Sequence, residues 1–122
     1  MHYASFRKDG GYYRILKWND DDMLTIGLLM MDAGISPDWL IRGLTDGDYR
    51  TFAGNSQRLR FKDNLVLIEP LFVDEPEQYI IAVDKEVLLN LAITWKDLIS
   101  KKAEEITITR ENEVITVTGK LP

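Results

Sequence analysis

Between residues 84 and 100 apolar side chains return at steps of one, three and four: Val87, Leu88, Leu91, Ala92, Trp95, Leu98 and Ile99. That spacing is the period of a helix with one buried face. Leu89 and Ile93 widen the stripe, while Glu86, Asn90, Lys96, Asp97 and Lys101 fill the other side. Asp84 can cap the first free amides, and Lys101 and Lys102 complement the dipole at the far end. Residues 79–83 before it read as a strand. After it the period drops to two: Ile106, Ile108 and Arg110 alternate with Thr107 and Thr109, then Val114, Thr116 and Thr118 with Ile115 and Val117. Glu111-Asn112-Glu113 breaks the two runs, and Asn112 suits the left-handed backbone of a hairpin turn. Residues 106–118 are therefore expected to be an antiparallel hairpin.

The amino-terminal two thirds carry weaker periodicity. Residues 1–18 read as a first hairpin turning at Asp9-Gly10-Gly11, with Tyr12 to Trp18 as its second strand. Asn19-Asp20-Asp21-Asp22 then precedes the almost wholly apolar run Met23–Met31. Such a run fits a helix with acids at its positive end, closing at Gly34, or a buried strand in which Gly27 marks a close approach; its Met and Leu content favours helix. Ser36 as N-cap and Pro37 at the first position begin a short helix ended by Gly43 or Gly47. Residues 45–56 form the longest polar stretch, an exposed loop holding at most a short strand near Tyr49–Phe52. Arg58, Arg60 and Lys62 alternate with Leu59 and Phe61 as in an edge strand. Residues 65–68 are a buried strand limited by Pro70, and Leu71–Val73 continues it past a bulge or forms a strand of its own. Residues 74–77 are an acidic turn.

These elements predict an α+β fold: a mainly antiparallel sheet of about five to seven strands, one long amphipathic helix packed on one face, and one or two short helices. The 122 residues, without repeat, linker or low-complexity segment, are read as a single domain, residues 1–122. Composition changes little in this picture. Hydrophobic residues make up 45% and charged residues 29%, as in ordinary soluble domains. The start of the chain lacks the layout of a signal peptide, and the absence of cysteine fits a reducing cytoplasm.

Candidate chemistry is sparse. The one histidine, His2, sits beside a terminus, so no histidine-based triad is expected and the chain is read as a non-enzyme. Glu69, inside an apolar segment, is the carboxylate best placed for acid–base work, but pairing with an arginine explains it more simply. Asp20-Asp21-Asp22 and Asp46-Gly47-Asp48 offer oxygen ligands without the spacing of a calcium loop. No phosphate-binding glycine motif is present. No metal and no cofactor is expected.

Charge is more informative. The net charge is −5, which argues against nucleic acid as a direct partner and permits a basic protein partner, although many ordinary proteins are as acidic. Residues 20–48 carry seven acids against Arg42, a balance of −6; residues 49–62 carry four bases and no acid; residues 63–77 carry five acids and no base. Aromatic residues border the acidic blocks: Trp18, Trp39 and Tyr49. Charged patches around aromatic anchors are what tight protein interfaces use, although the two tryptophans suit a core equally well.

The carboxy-terminal third carries a resemblance. The sequence Ile81-Ala82-Val83-Asp84-Lys85-Glu86-Val87-Leu88-Leu89, the helix centred near Trp95, and the run from Glu105 to Val117 resemble small bacterial immunity proteins of polymorphic toxin and contact-dependent growth inhibition systems. It covers about forty of the 122 residues and is one of secondary structure and composition. It implies a small cytoplasmic protein that binds and blocks the active domain of a cognate toxin. If that toxin is a nuclease, its substrate groove is cationic and acidic side chains can occupy it. The implied contact residues are Asp20, Asp21, Asp22, Asp46, Asp48, Asp74, Glu75 and Glu77, with Trp39 and Tyr49 as anchors. An accessory subunit of a larger bacterial or phage complex, or a small carboxylate-dependent enzyme, are the alternatives.

Overall fold

Trp95 is fully buried at the point where the helices meet the first sheet, and the fold is most easily built outward from it. The computed structural model describes residues 1–34, 36–46, 51–53, 57–71 and 74–122. Strands β1 (His2–Asp9) and β2 (Tyr12–Trp18) form the first hairpin, followed by helices α1 (Asp21–Ala33) and α2 (Asp38–Thr45). Strands β3 (Thr51–Ala53), β4 (Gln57–Lys62) and β5 (Leu65–Pro70), a 3₁₀ turn (Pro76–Tyr79) and β6 (Ile81–Asp84) come next. Helix α3 (Lys85–Ser100) and the hairpin β7 (Glu105–Glu111) and β8 (Val114–Lys120) complete the chain. The fold is α+β, and every strand pairing is antiparallel. Among the described residues eight strands divide into two sheets of four, β2-β1-β7-β8 and β3-β4-β5-β6. The second sheet is a sequential meander; the first joins the two ends of the chain.

Helix α1 packs on β1 and β2 and also touches β5, while α3 packs on β8, β5 and β6. The helical layer is thus shared by both sheets. Trp95 of α3 lies edge-on to Phe6 of β1 (centroids 4.9 Å apart) and to Tyr13 of β2 (5.7 Å). Its indole N–H donates to the Gly34 carbonyl at the end of α1 over 2.9 Å, which satisfies a polar group that would otherwise be stranded in the core. The Tyr13 hydroxyl in turn donates to the Ala103 carbonyl at 2.5 Å, and burial raises its pKa above the usual tyrosine value. One cluster therefore ties α1, α3, the first hairpin and the link from α3 to β7.

The local expectations fare as follows. The run after the Asp cluster is helix: Asp20 caps it by accepting from the Met23 amide at 2.8 Å, and Gly34 at φ 54° closes it. Gly27 nevertheless marks a close approach, since a β-carbon there would stand 2.4 Å from Ile15 Cδ1 of β2. Asp84 caps α3 as expected, accepting from the Glu86 and Val87 amides. Three details are corrected. Ser36 does not cap α2; Pro37 occupies the N-cap without a side-chain bond, and the helix runs through Gly43 to Thr45. Strand β4 is not an edge, because β3 pairs along its outer side. Ile93 faces solvent, 48% exposed, so the buried stripe of α3 is narrower than the apolar count suggests.

The closing hairpin turns at Asn112 and Glu113, with φ of 52° and 69°. Asn112 tolerates this backbone, but Glu113 occupies a position that glycine fills at less cost, by roughly 1–2 kcal/mol. Its carboxylate touches Arg110 at 3.4 Å while remaining 80% exposed, a contact worth little. Glu113→Gly is expected to stabilise the protein by up to about 1 kcal/mol, read as a higher melting temperature. A lower one would show that the Arg110 contact outweighs the backbone strain.

Candidate interaction surface

The paired strands β1 and β7 place His2 directly opposite Arg110, and the first turn of α1 lies across that end of the sheet. Between them is an open cleft of about 220 Å³ lined by His2, Asp20, Asp22, Met23, Arg110, Asn112 and Glu113. Asp20 does two things there. One oxygen caps α1, and the other contacts His2 Nδ1. Arg110 is the most deeply set charge, 13% exposed, with Asp22 at 3.8 Å and Glu113 at 3.4 Å. Three carboxylates thus surround one guanidinium and one imidazole. The surplus is negative, and the cleft's chemistry suits a cationic group arriving from outside.

The 3₁₀ turn brings further acids to the same end of α1. The Thr25 hydroxyl lies 3.2 Å from both the Asp21 and the Tyr79 carbonyls and shares its one proton between them. Asp21, one helical turn before Thr25, is thereby held beside the segment that carries Asp74, Glu75 and Glu77, all three exposed. Glu75 takes a left-handed backbone (φ 52°), and its carboxylate accepts from Gln78 Nε2 at 2.7 Å, which orders the turn. Two acidic segments more than fifty residues apart in sequence thus lie on elements that pack against each other, α1 and the 3₁₀ turn. Strand β2 ends beside it at Trp18, 44% exposed, whose neighbour Asn19 donates to the Met1 carbonyl and accepts from the Tyr3 amide.

The remaining candidate residues are placed differently. Asp46 is exposed at the carboxyl end of α2, on a different element from the acids of α1. Trp39 is half-buried and packs against the core, so part of its ring is already used. Asp48 and Tyr49 lie outside the described residues. Glu69 accepts from Arg58 Nη2 at 2.6 Å and Nε at 3.2 Å across β4 and β5, the arginine pairing that sequence favoured. Asp38, first in α2, is held to Lys96 of α3 at 2.7 Å, and that bond keeps its carboxyl below the usual carboxylate range.

Sequence reasoning set His2 aside as terminal and gave Arg110 and Glu113 no functional role. What joins His2 to Arg110 is a strand register spanning almost the whole chain, which no local pattern encodes. Gln57 is also notable: it is fully buried in β4, and among the described residues neither side-chain polar atom has a hydrogen-bond partner. Among the described residues no three His, Cys, Asp or Glu side chains group so as to hold a metal ion, and no single helix is long and apolar enough to cross a membrane. Compared with protein-family models, curated proteins and solved structures, the chain matches none.

Proposed function

We propose that this chain is an immunity protein, which binds the active domain of a cognate toxin and blocks it by acidic surface complementarity. The observation that supports this most is the contact of Thr25 with the Tyr79 carbonyl, which sets the segment carrying the 74–77 acids against α1, whose first turn carries the 20–22 acids, so that the two can act as one acidic face. Such a face presents carboxylates at the spacing of separate elements, as a basic groove built for phosphates would require. Under this reading the His2–Arg110 cleft accepts a lysine or arginine of the toxin, Trp18 packs at its margin, and no bond is made or broken. The resemblance of the carboxy-terminal third to immunity proteins points the same way. A nuclease is the toxin class whose groove this surface suits best, because holding a phosphate backbone demands clustered cations.

The test is genetic and biochemical. The gene immediately upstream is expected to encode a large secreted protein with a variable carboxy-terminal domain. Co-expression of this chain with that domain should rescue growth, and the two should co-elute in gel filtration. Growth arrest that persists in the presence of folded protein, with no complex formed, overturns the proposal.

A further inference from the structure

Three of the four sheet edges are protected. Strand β2 carries Arg14 and Lys17 and is bulged at Leu16, where its register with β1 shifts. Strand β3 has three residues, and β6 has four and runs straight into α3. Short length, charge and bulges are the devices that keep an edge from pairing. Strand β8 uses none of them until Lys120. It is seven residues long, in unbroken register with β7, without proline, and β-branched from Val114 to Thr118.

The two-residue turn fixes which backbone groups are free. Glu111 and Val114 close the hairpin as a hydrogen-bonded pair, so Thr116, Thr118 and Lys120 also direct their backbone at β7. The Lys120 carbonyl, which accepts from the Glu104 amide at 2.7 Å, agrees with this. Ile115, Val117 and Gly119 therefore present their N–H and C=O groups outward. Gly119 has no side chain to hold a neighbouring backbone away, and its inner side is filled by Leu98 of α3, 2.7 Å from where a β-carbon would be.

The charges along this edge select the partner. Its amino end is acidic, with Glu113 and, one strand in, Glu111 of β7; at its carboxyl end Lys120 stands opposite Glu105 of β7, which Arg7 of β1 faces in turn, so that end is net positive. We infer that two copies of this chain pair through β8, antiparallel about a two-fold axis at Val117, to make one continuous sheet. In that register Val117 faces its own copy, Ile115 faces Gly119, and Thr116 faces Thr118. Val114 faces Lys120, which brings each Lys120 onto the same row of the outer face as Glu111 of the other copy. Parallel pairing would instead set like charges together. The interface is isologous and closes after two copies, and its small size makes the dimer reversible rather than obligate.

Sedimentation of the full chain across a dilution series tests this. The expected result is a concentration-dependent monomer–dimer equilibrium. Val117→Pro removes an outward N–H and trims a half-buried side chain, leaves the β7 ladder intact, and should raise the dimer dissociation constant about thirtyfold while circular dichroism shows the chain still folded. Lys120→Glu, which also sets a second carboxylate opposite Glu105 of β7, and Glu111→Lys should each weaken the dimer roughly fivefold, and the double variant should restore it. A chain that is monomeric throughout, a dimer indifferent to V117P, or a charge swap that the double variant does not rescue overturns the inference.

Discussion

Replacing Trp95 with alanine is expected to cost about 3–5 kcal/mol of folding stability, the range for emptying a large aromatic site in a packed core. The indole is fully buried, meets Phe6 and Tyr13 edge-on, and satisfies the Gly34 carbonyl. Truncation removes all three at once and leaves a buried acceptor without its donor. Trp95→Phe separates the contributions: it keeps most of the aromatic contact and loses the hydrogen bond, and should cost about 1–3 kcal/mol. Urea unfolding followed by far-ultraviolet circular dichroism measures both. An alanine variant within about 1 kcal/mol of the parent would show that the first sheet and α3 hold together without this cluster.

Reversing two charges on the acidic face is the other change of large expected effect. Asp21→Lys with Glu77→Lys alters both of the segments that Thr25 joins, without touching the cap at Asp20 or the Glu75–Gln78 bond. On the proposed function this double variant should bind its toxin about a hundredfold more weakly, mostly through slower association, and with a shallower dependence on salt. The cost to folding is small, limited to the loss of a favourable charge in the first turn of α1. Lys8→Gln, at the opposite end of β1 from the cleft, serves as the control and should leave affinity unchanged. Equal affinity of the double variant and the parent would remove the acidic face from the interface.

Much of the fold was legible where a single buried face imposes a period. Helix α3, its Asp84 cap and the β7–β8 hairpin follow from spacing alone. Helix α1 does not, because it is apolar on nearly every side: enclosed by β1, β2 and β5, it has little polar face to reveal a period. Its cap carboxylate was the better signal. The division into two sheets was not legible either, since β-periodicity tells which face is buried and nothing about which strand lies alongside. Ile93 shows the reverse error, an apolar residue in helical register that the core has no room to cover. The acids were visible one by one, but the packing of the elements that carry them depends on Thr25 meeting Tyr79, a contact between residues with no sequence pattern in common. The cleft at His2 depends in the same way on the pairing of the first strand with the seventh.

That pairing also sets an order of events during synthesis. The second sheet is a meander of neighbours and can form as soon as it is made, with little loop entropy to overcome. The first sheet cannot. Strand β1 emerges first yet waits for β7, the penultimate strand, to occupy its second edge. Until then Phe6 and Ala4 are uncovered on that side, and a chain that stops before Glu105 keeps an open strand in the middle of its sheet. Assembly of the first sheet is therefore gated by β7, and a nascent or truncated chain that lacks it is the species most exposed to aggregation and to the cell's proteases.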